Sequence, residues 1–311
     1  MSVKARDLLK LHTPKKGQGL VVQTKYFDKY NTKRWVLTIL DELINKGAND
    51  LLIRTKSHYS KNTTKHRDSL EFEILEQILP KTIDEYIFSN HLIELVQEFE
   101  LYLGNVIKEL LTVRPEIVKE QKLSIKELEM LKYDRDLILN AVIDSKVNNL
   151  LYKEYKSIFR YINEIGIKHD INDDFIDGLN YIKAIRNNFV HNDGKINKIL
   201  NEKLKTIHPI GDKIILDKEV LAEIDGYIGS IMLQIDLAIS DDSVLYLAML
   251  TEESKLDWIC DDYGRDEFSL QKLVAEALEY DISEERVKIY LNEQLKKEII
   301  NKLPNGNFKA F

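Results

Sequence analysis

Cysteine occurs once in this chain of 311 residues, at Cys260, so no intrachain disulfide can form and a zinc site built on cysteines is disfavoured. Glycine and proline are also scarce, 12 and 5 in all, while Leu, Ile, Lys and Glu dominate, a composition that favours helix over strand. No apolar run approaches the roughly 18 residues of a membrane span, and the opening MSVKARDLLKLHTPKKG lacks the apolar core of a secretory signal. A glycine-rich phosphate loop is missing too, which argues against a nucleotide hydrolase. These absences leave an all-α cytoplasmic protein with minor β content as the expectation.

What is present is uneven. The formal charge of −7 conceals a basic first 67 residues and an acidic remainder. Such asymmetry points to an acidic partner for the basic part. Its densest patch runs from Arg54 to Arg67, with Lys56, Tyr59, Lys61 and Lys65 between, and contains no acid. Lacking apolar periodicity, it reads as a mobile loop whose cations would release counterions from a phosphate backbone while Tyr59 stacks on a base. The plainer alternative is a solvated loop, or one that pairs with the chain's own acidic part.

The apolar spacing divides the chain into three regions, at about 1–88, 89–240 and 241–311. In the first, Trp35, Ile39, Leu40 and Leu43 predict a short helix ended by Gly47. Val21–Gln23 and Leu51–Arg54 read as strand or loop, and Glu71–Leu79 as a helix stopped by Pro80. In the second, Leu92, Leu95, Val96, Phe99, Leu103, Val106, Ile107 and Leu110 predict one long amphipathic helix, interrupted at Pro115. Ser124 and Glu127 form a capping box for the next helix, and Leu150, Leu151, Tyr155, Ile158 and Phe159 mark another. Asp173 or Asp174 caps a helix with Phe175, Ile176, Leu179, Ile182 and Ile185 on its buried face. After a turn at Gly211-Asp212 and a strand at 213–216, Val220 to Ile235 forms the last helix of an up-and-down bundle. Asp241-Asp242-Ser243 is a weak boundary, and helical stripes follow at Leu270–Leu278 and Val287–Ile300.

The helix with Ile182 and Ile185 on its buried face leads into Arg186-Asn187-Asn188-Phe189-Val190-His191, followed by the turn residues Asn192-Asp193-Gly194. Arg186 supplies a permanently charged planar fork suited to phosphate oxygens. His191 supplies an imidazole, the side-chain type that can take up or release a proton near neutral pH, and Asn187 an amide that can orient a phosphate or fix a histidine tautomer. On a regular helix, residues five apart point about 140° away from each other, so Arg186 and His191 converge only if the helix ends near His191. The plainer readings are a surface or capping histidine and an arginine that complements the helix dipole. His191 with Asp193 is an incomplete metal pair. Asp261-Asp262 to Glu267 lacks the ligand spacing of a calcium loop and reads as a solvated acidic turn. Tyr152, Tyr155, Phe159 and Tyr161 read as packing aromatics.

Arg186, Asn187 and His191 also resemble the signature of the HEPN superfamily, an arginine followed by a polar residue, often Asn, with a histidine after four to six intervening positions, here four. The likeness covers about half the chain, and nothing in 1–88 or 241–311 is explained by it. The resemblance implies an HEPN-like helical bundle with N- and C-terminal extensions. It further implies a homodimer with a composite active site and a metal-independent endoribonuclease that needs no cofactor. In that chemistry the RNA 2′-OH attacks to leave a 2′,3′-cyclic phosphate, with Arg186, Asn187 and His191 catalytic. The expected role is that of a toxin or abortive-infection antiviral effector, held in check by an antitoxin or regulatory protein. A non-catalytic HEPN module that binds RNA or a protein partner, with the basic region 1–88 as its contact surface, is the alternative.

Overall fold

The computed structural model describes residues 2–4, 24–61, 79–118, 124–263, 266–297 and 299–310. The described residues are mostly helical and fall into two compact units, one drawn from 2–4 and 26–239 and the other from 24–25 and 240–310. No helix among them is long and apolar enough to cross a membrane.

In the first unit, α1 (Lys25–Lys61) runs unbroken through Gly47. A lone glycine lowers helix propensity by only about 1 kcal/mol, which the surrounding helix formers absorb. Leu51–Arg54 is therefore helix, not strand or loop. The stripe is helical but not buried: Trp35 is 68% and Leu43 59% exposed. Pro80 is itself helical. It is the second residue of α2 (Leu79–Val113), where its missing N–H has no acceptor to lose. Residues 21–23 and 71–78 lie outside the described residues.

Helix α2 is the centre of this unit. Leu92, Leu95, Val96, Phe99, Leu103, Val106, Ile107 and Leu110 are all buried, as their 3–4 spacing requires. A single turn of 3-10 helix at Pro115–Ile117 ends the run. Helix α3 (Ile125–Met130) opens on the capping box: the Glu127 N–H donates to Ser124 Oγ at 3.2 Å, and the Ser124 N–H to Glu127 Oε2 at 2.7 Å. The apolar stripe at 150–159 belongs to two helices, α4 (Arg135–Leu151) and α5 (Tyr155–Glu164), because the turn between them preserves the spacing. Helix α6 (Asp173–Asn192) is capped by Asn172, whose Oδ1 accepts the Phe175 N–H at 3.1 Å, rather than by either aspartate after it. The first acid of the helix proper cannot cap it, since the capping residue must have extended backbone.

After α7 (Lys198–Leu204), the strand β2 (Lys213–Ile215) pairs in parallel with β1 (Ser2–Lys4), Ser2 opposite Lys213. Helix α8 (Lys218–Ser240) then buries Val220, Leu221, Ile224, Ile228, Ile231, Met232 and Ile235. Its one buried acid, Asp236, accepts the Tyr102 O–H at 2.7 Å, and burial with this carboxylate pushes the phenol well above its ordinary pKa. Gly178 leaves room on α6 for the ring of Tyr227 from α8. A Cβ there would collide with the hydroxyl of Tyr227, which donates to the Phe175 carbonyl at 2.9 Å.

His169, between α5 and α6, is held neutral: Nε2–H donates to the Phe159 carbonyl at 3.1 Å and Nδ1 accepts the Ile171 N–H at 3.2 Å. Burial, partly offset by the Phe159 carbonyl, lowers its pKa. Below about pH 6.5 the unfolded chain therefore takes up a proton that the folded one resists, so stability falls with falling pH until the lowered folded value is passed. Denaturant unfolding at pH 7.5 and 5.5 should show this loss in the wild type and less of it in His169→Gln.

The second unit contains α9 (Ser243–Met249), α10 (Glu252–Tyr263), α11 (Leu270–Leu278) and α12 (Glu284–Lys296), followed by β3 (Ile300–Lys302) and β4 (Phe308–Ala310) as an antiparallel hairpin. The stripe 287–300 is thus helix only to Lys296, and Ile300 joins the core from a strand. Asp261 and Asp262 belong to the last turn of α10 and not to a loop.

Candidate functional site

Helix α6 positions the motif. Its inward face, through Leu179, Ile182, Ile185 and Asn188, is buried, which sets Arg186 and Asn187 at the edge of that face, half-buried. Across from Arg186 stands Glu100, on α2. Arg186 Nη2 donates to Glu100 Oε2 at 2.8 Å, and Lys183, one turn earlier on α6, reaches Oε1 at 2.7 Å. Arg186 Nη1 donates to the Asn187 side-chain oxygen at 2.8 Å, while its Nε is buried without a hydrogen-bond partner. Tyr155 completes the cluster: its O–H donates to Glu100 Oε1 at 3.4 Å, and the Lys183 ammonium lies 4.8 Å from its ring centroid. Burial, then the Glu100 charge, push the Tyr155 phenol well above its ordinary pKa, so it remains a neutral donor.

The guanidinium is therefore fixed by two partners. Each terminal nitrogen has one N–H so engaged and carries a second.

The end of the helix is tied off next to the motif. Asp193 takes the left-handed conformation at φ 52°, and its N–H returns to the Asn188 carbonyl. Gly194 follows at φ 67°, where a Cβ would meet the Phe189 ring at 2.6 Å. The Asn188 amide nitrogen donates to the Lys195 carbonyl at 3.0 Å. Asn188 thus fastens the turn, and Asn187 is the amide that touches Arg186.

His191 is exposed, with no side-chain hydrogen bond among the described residues. Helical geometry continues through Asn192, so the roughly 140° separation from Arg186 persists. One chain does not bring the arginine and the histidine together. Val190 beside it is 47% exposed, and Asp193 pairs only loosely with Lys195 at 3.8 Å in solvent. Among the described residues, no three His, Cys, Asp or Glu side chains gather as metal ligands.

Beside Asn187 lies a groove of about 470 Å³ lined by Tyr152, Lys153, Asn180, Tyr181, Lys183, Lys203 and Lys205, together with Glu154 and Asp177. Lys203 sits on the last turn of α7 and Lys205 caps it in the left-handed conformation at φ 52°. Tyr152 is 91% exposed and is not the packing residue expected of it, whereas Tyr155 and Phe159 are buried. The short turn between α4 and α5 turns Tyr152 outward. Sequence reasoning missed this groove, and missed Glu100 and Lys183. A carboxylate directly after the buried Phe99 was the available signal, since it calls for a cation from a neighbouring helix.

The basic patch is placed differently from its reading. Arg54, exposed, and the backbone of Lys56, Tyr59 and Lys61 belong to the last two turns of α1 and not to a loop. Lys65 and Arg67 lie outside the described residues.

No family model, curated protein or solved structure matches this chain.

Proposed function

We propose that the protein is a metal-independent endoribonuclease of the HEPN type, acting as a homodimer and serving as a toxin or abortive-infection effector. The observation that carries this is the helix end itself: a guanidinium anchored by Glu100 and Asn187, with an unencumbered imidazole five residues on. Because the two point to different sides of α6, a twofold partner is the simplest way to place an imidazole opposite a guanidinium. An isologous interface supplies two of each. The exposed Val190 gives that contact apolar surface.

In such a cleft one His191 takes the proton of the RNA 2′-OH as its oxygen attacks phosphorus. The bond to the 5′-oxygen breaks, and a second His191 returns a proton to that leaving oxygen. The products are a 2′,3′-cyclic phosphate and a 5′-OH. Arg186 stabilises the charge that develops on the phosphoryl oxygens, and Asn187 fixes the guanidinium's orientation. The groove holding Lys203 and Lys205 adjoins Asn187 and offers a path for the strand, with Tyr152 as a stacking surface.

The test is an RNA oligonucleotide containing the cleaved bond, compared with the same strand carrying a single 2′-deoxy sugar there. Cleavage of the first alone is expected, and cleavage of both rules out 2′-OH attack. The groove has its own test. Lys203→Glu with Lys205→Glu should weaken single-stranded RNA binding and reduce the log–log salt slope by about 1.4, two contacts at roughly 0.7 each. An unchanged slope would place the strand elsewhere.

A further inference from the structure

The second unit has an arrangement that the ribonuclease reading leaves unused. Helices α10, α11 and α12 share one core in which Leu256, Leu273, Val287 and Phe268 are almost completely buried. Helices α11 and α12 are joined by a tight turn. Glu279 ends the first helix and Ser283 caps the second, its Oγ accepting the Arg286 N–H at 3.3 Å, so three residues separate the caps. Asp281 makes the turn in the left-handed conformation at φ 59°, and Ile282, fully buried, pins it to the core. Two helices joined by so short a turn have the connectivity of a helix–turn–helix.

The strands complete the module. Phe268, between α10 and α11, exchanges backbone hydrogen bonds with Phe308 at 3.0 and 2.8 Å, and β4 pairs in turn with β3. The order is helix, bridge strand, helix, turn, helix, hairpin, and the hairpin follows α12 with Ile300 and Phe308 in the shared core. Its tip is closed by the Leu303 N–H to Asn307 carbonyl bond at 2.8 Å, with Gly306 at φ 85°.

The charges follow this order. Residues 240–283 carry 12 Asp/Glu against 3 Lys/Arg, whereas α12 and the hairpin, residues 284–310, carry 6 Lys/Arg against 4 Asp/Glu. The solvent side of α12, away from Val287, Tyr290 and Leu291, carries Lys288 at its flank, then Asn292 and Lys296 at four-residue spacing, with the exposed Glu285 and Ile289 among them. Lys302 and Lys309 are exposed on the hairpin. Among the described residues Lys296, Lys302 and Lys309 have no ion pair, and Lys288 has only the exposed contact to Glu284 at 2.6 Å.

We infer that this unit binds double-stranded DNA, with α12 in the major groove and the β3–β4 hairpin along the adjoining backbone. The second helix of a helix–turn–helix is the one that enters the groove, whose width accepts a helix. Lysines on its solvent face and on a following hairpin fit phosphates on either side. Asn292 is the residue type that reads adenine through paired hydrogen bonds, and the exposed Glu285 can accept from the cytosine amino group. Duplex RNA is the poorer fit, because its major groove is too narrow for a helix.

The experiment selects duplexes from a random DNA pool with the full-length protein, then measures binding by fluorescence anisotropy against salt. Enrichment of a sequence family is expected. Lys288→Glu, Lys296→Glu and Lys302→Glu together should abolish binding at moderate salt. In the milder alanine triple the log–log slope should fall by about 2.7, three contacts at roughly 0.9 each. Asn292→Ala should keep affinity for random duplex and lose preference for the selected one. Failure of the folded wild type to bind any duplex at low salt overturns the inference. So does equal binding by the triple variant, which would place the contact in the basic N-terminal region, or equally tight binding of duplex RNA.

Discussion

His191→Ala is expected to lower RNA cleavage by about 10²–10⁴-fold, the usual contribution of a general acid–base group, without moving the thermal midpoint. The side chain is exposed and without hydrogen bonds among the described residues, so its removal takes nothing from the folded state. Arg186 behaves differently, because it neutralises Glu100. Arg186→Lys is the informative change there: it keeps a cation near the carboxylate but lacks the fork that engages phosphate. Cleavage should fall nearly as far as in His191→Ala, with stability largely kept. An Arg186→Lys enzyme as active as the wild type would mean that the guanidinium serves only as an ion-pair partner.

The second large effect lies on α2. Glu100→Ala leaves Arg186 and Lys183 without their common counter-ion in a site where all three side chains are only about one-fifth exposed. Removing one member of a fully buried pair costs about 3–5 kcal/mol, and the residual solvent access here reduces this to roughly 2. Cleavage should fall as well, since the guanidinium loses the contact that fixes it. Chemical denaturation of Glu100→Ala, Arg186→Ala and the double variant separates the two contributions. A coupling energy of about 1 kcal/mol or more between the two positions is expected, and simple additivity would mean that the contact contributes little.

How much of this is legible in the sequence varies by element. Helices α2, α6 and α8 are readable because each buries one face, and burial writes a 3–4 spacing into the residues. Helix α11 is readable at Leu270–Leu278 for the same reason. Helix α1 escapes the pattern past Gly47 because Trp35, Leu43, Leu51 and Ile53 are exposed, and between Gly47 and Arg54 Leu52 is the one buried apolar side chain, too little to carry the spacing onward. The β3–β4 hairpin is hidden because Ile299 and Ile300 continue the helical spacing of α12 past Lys296. The stop signal is present in Pro304-Asn305-Gly306, a turn with no place inside a helix. At the candidate site, Arg186, Asn187 and His191 are neighbours in sequence and can be found there. Glu100 is 86 positions from Arg186, and only the packing of α2 against α6 makes them partners. The groove at Tyr152 likewise depends on the turns after α4 and α7.

The most direct measurement is incubation of total RNA with the purified protein in EDTA, wild type beside His191→Ala, followed by analysis of the product ends. Fragments bearing 2′,3′-cyclic phosphate and 5′-OH ends from the wild type alone are the expected result. Cleavage that requires added divalent metal, or that persists undiminished in His191→Ala, would contradict the proposed chemistry.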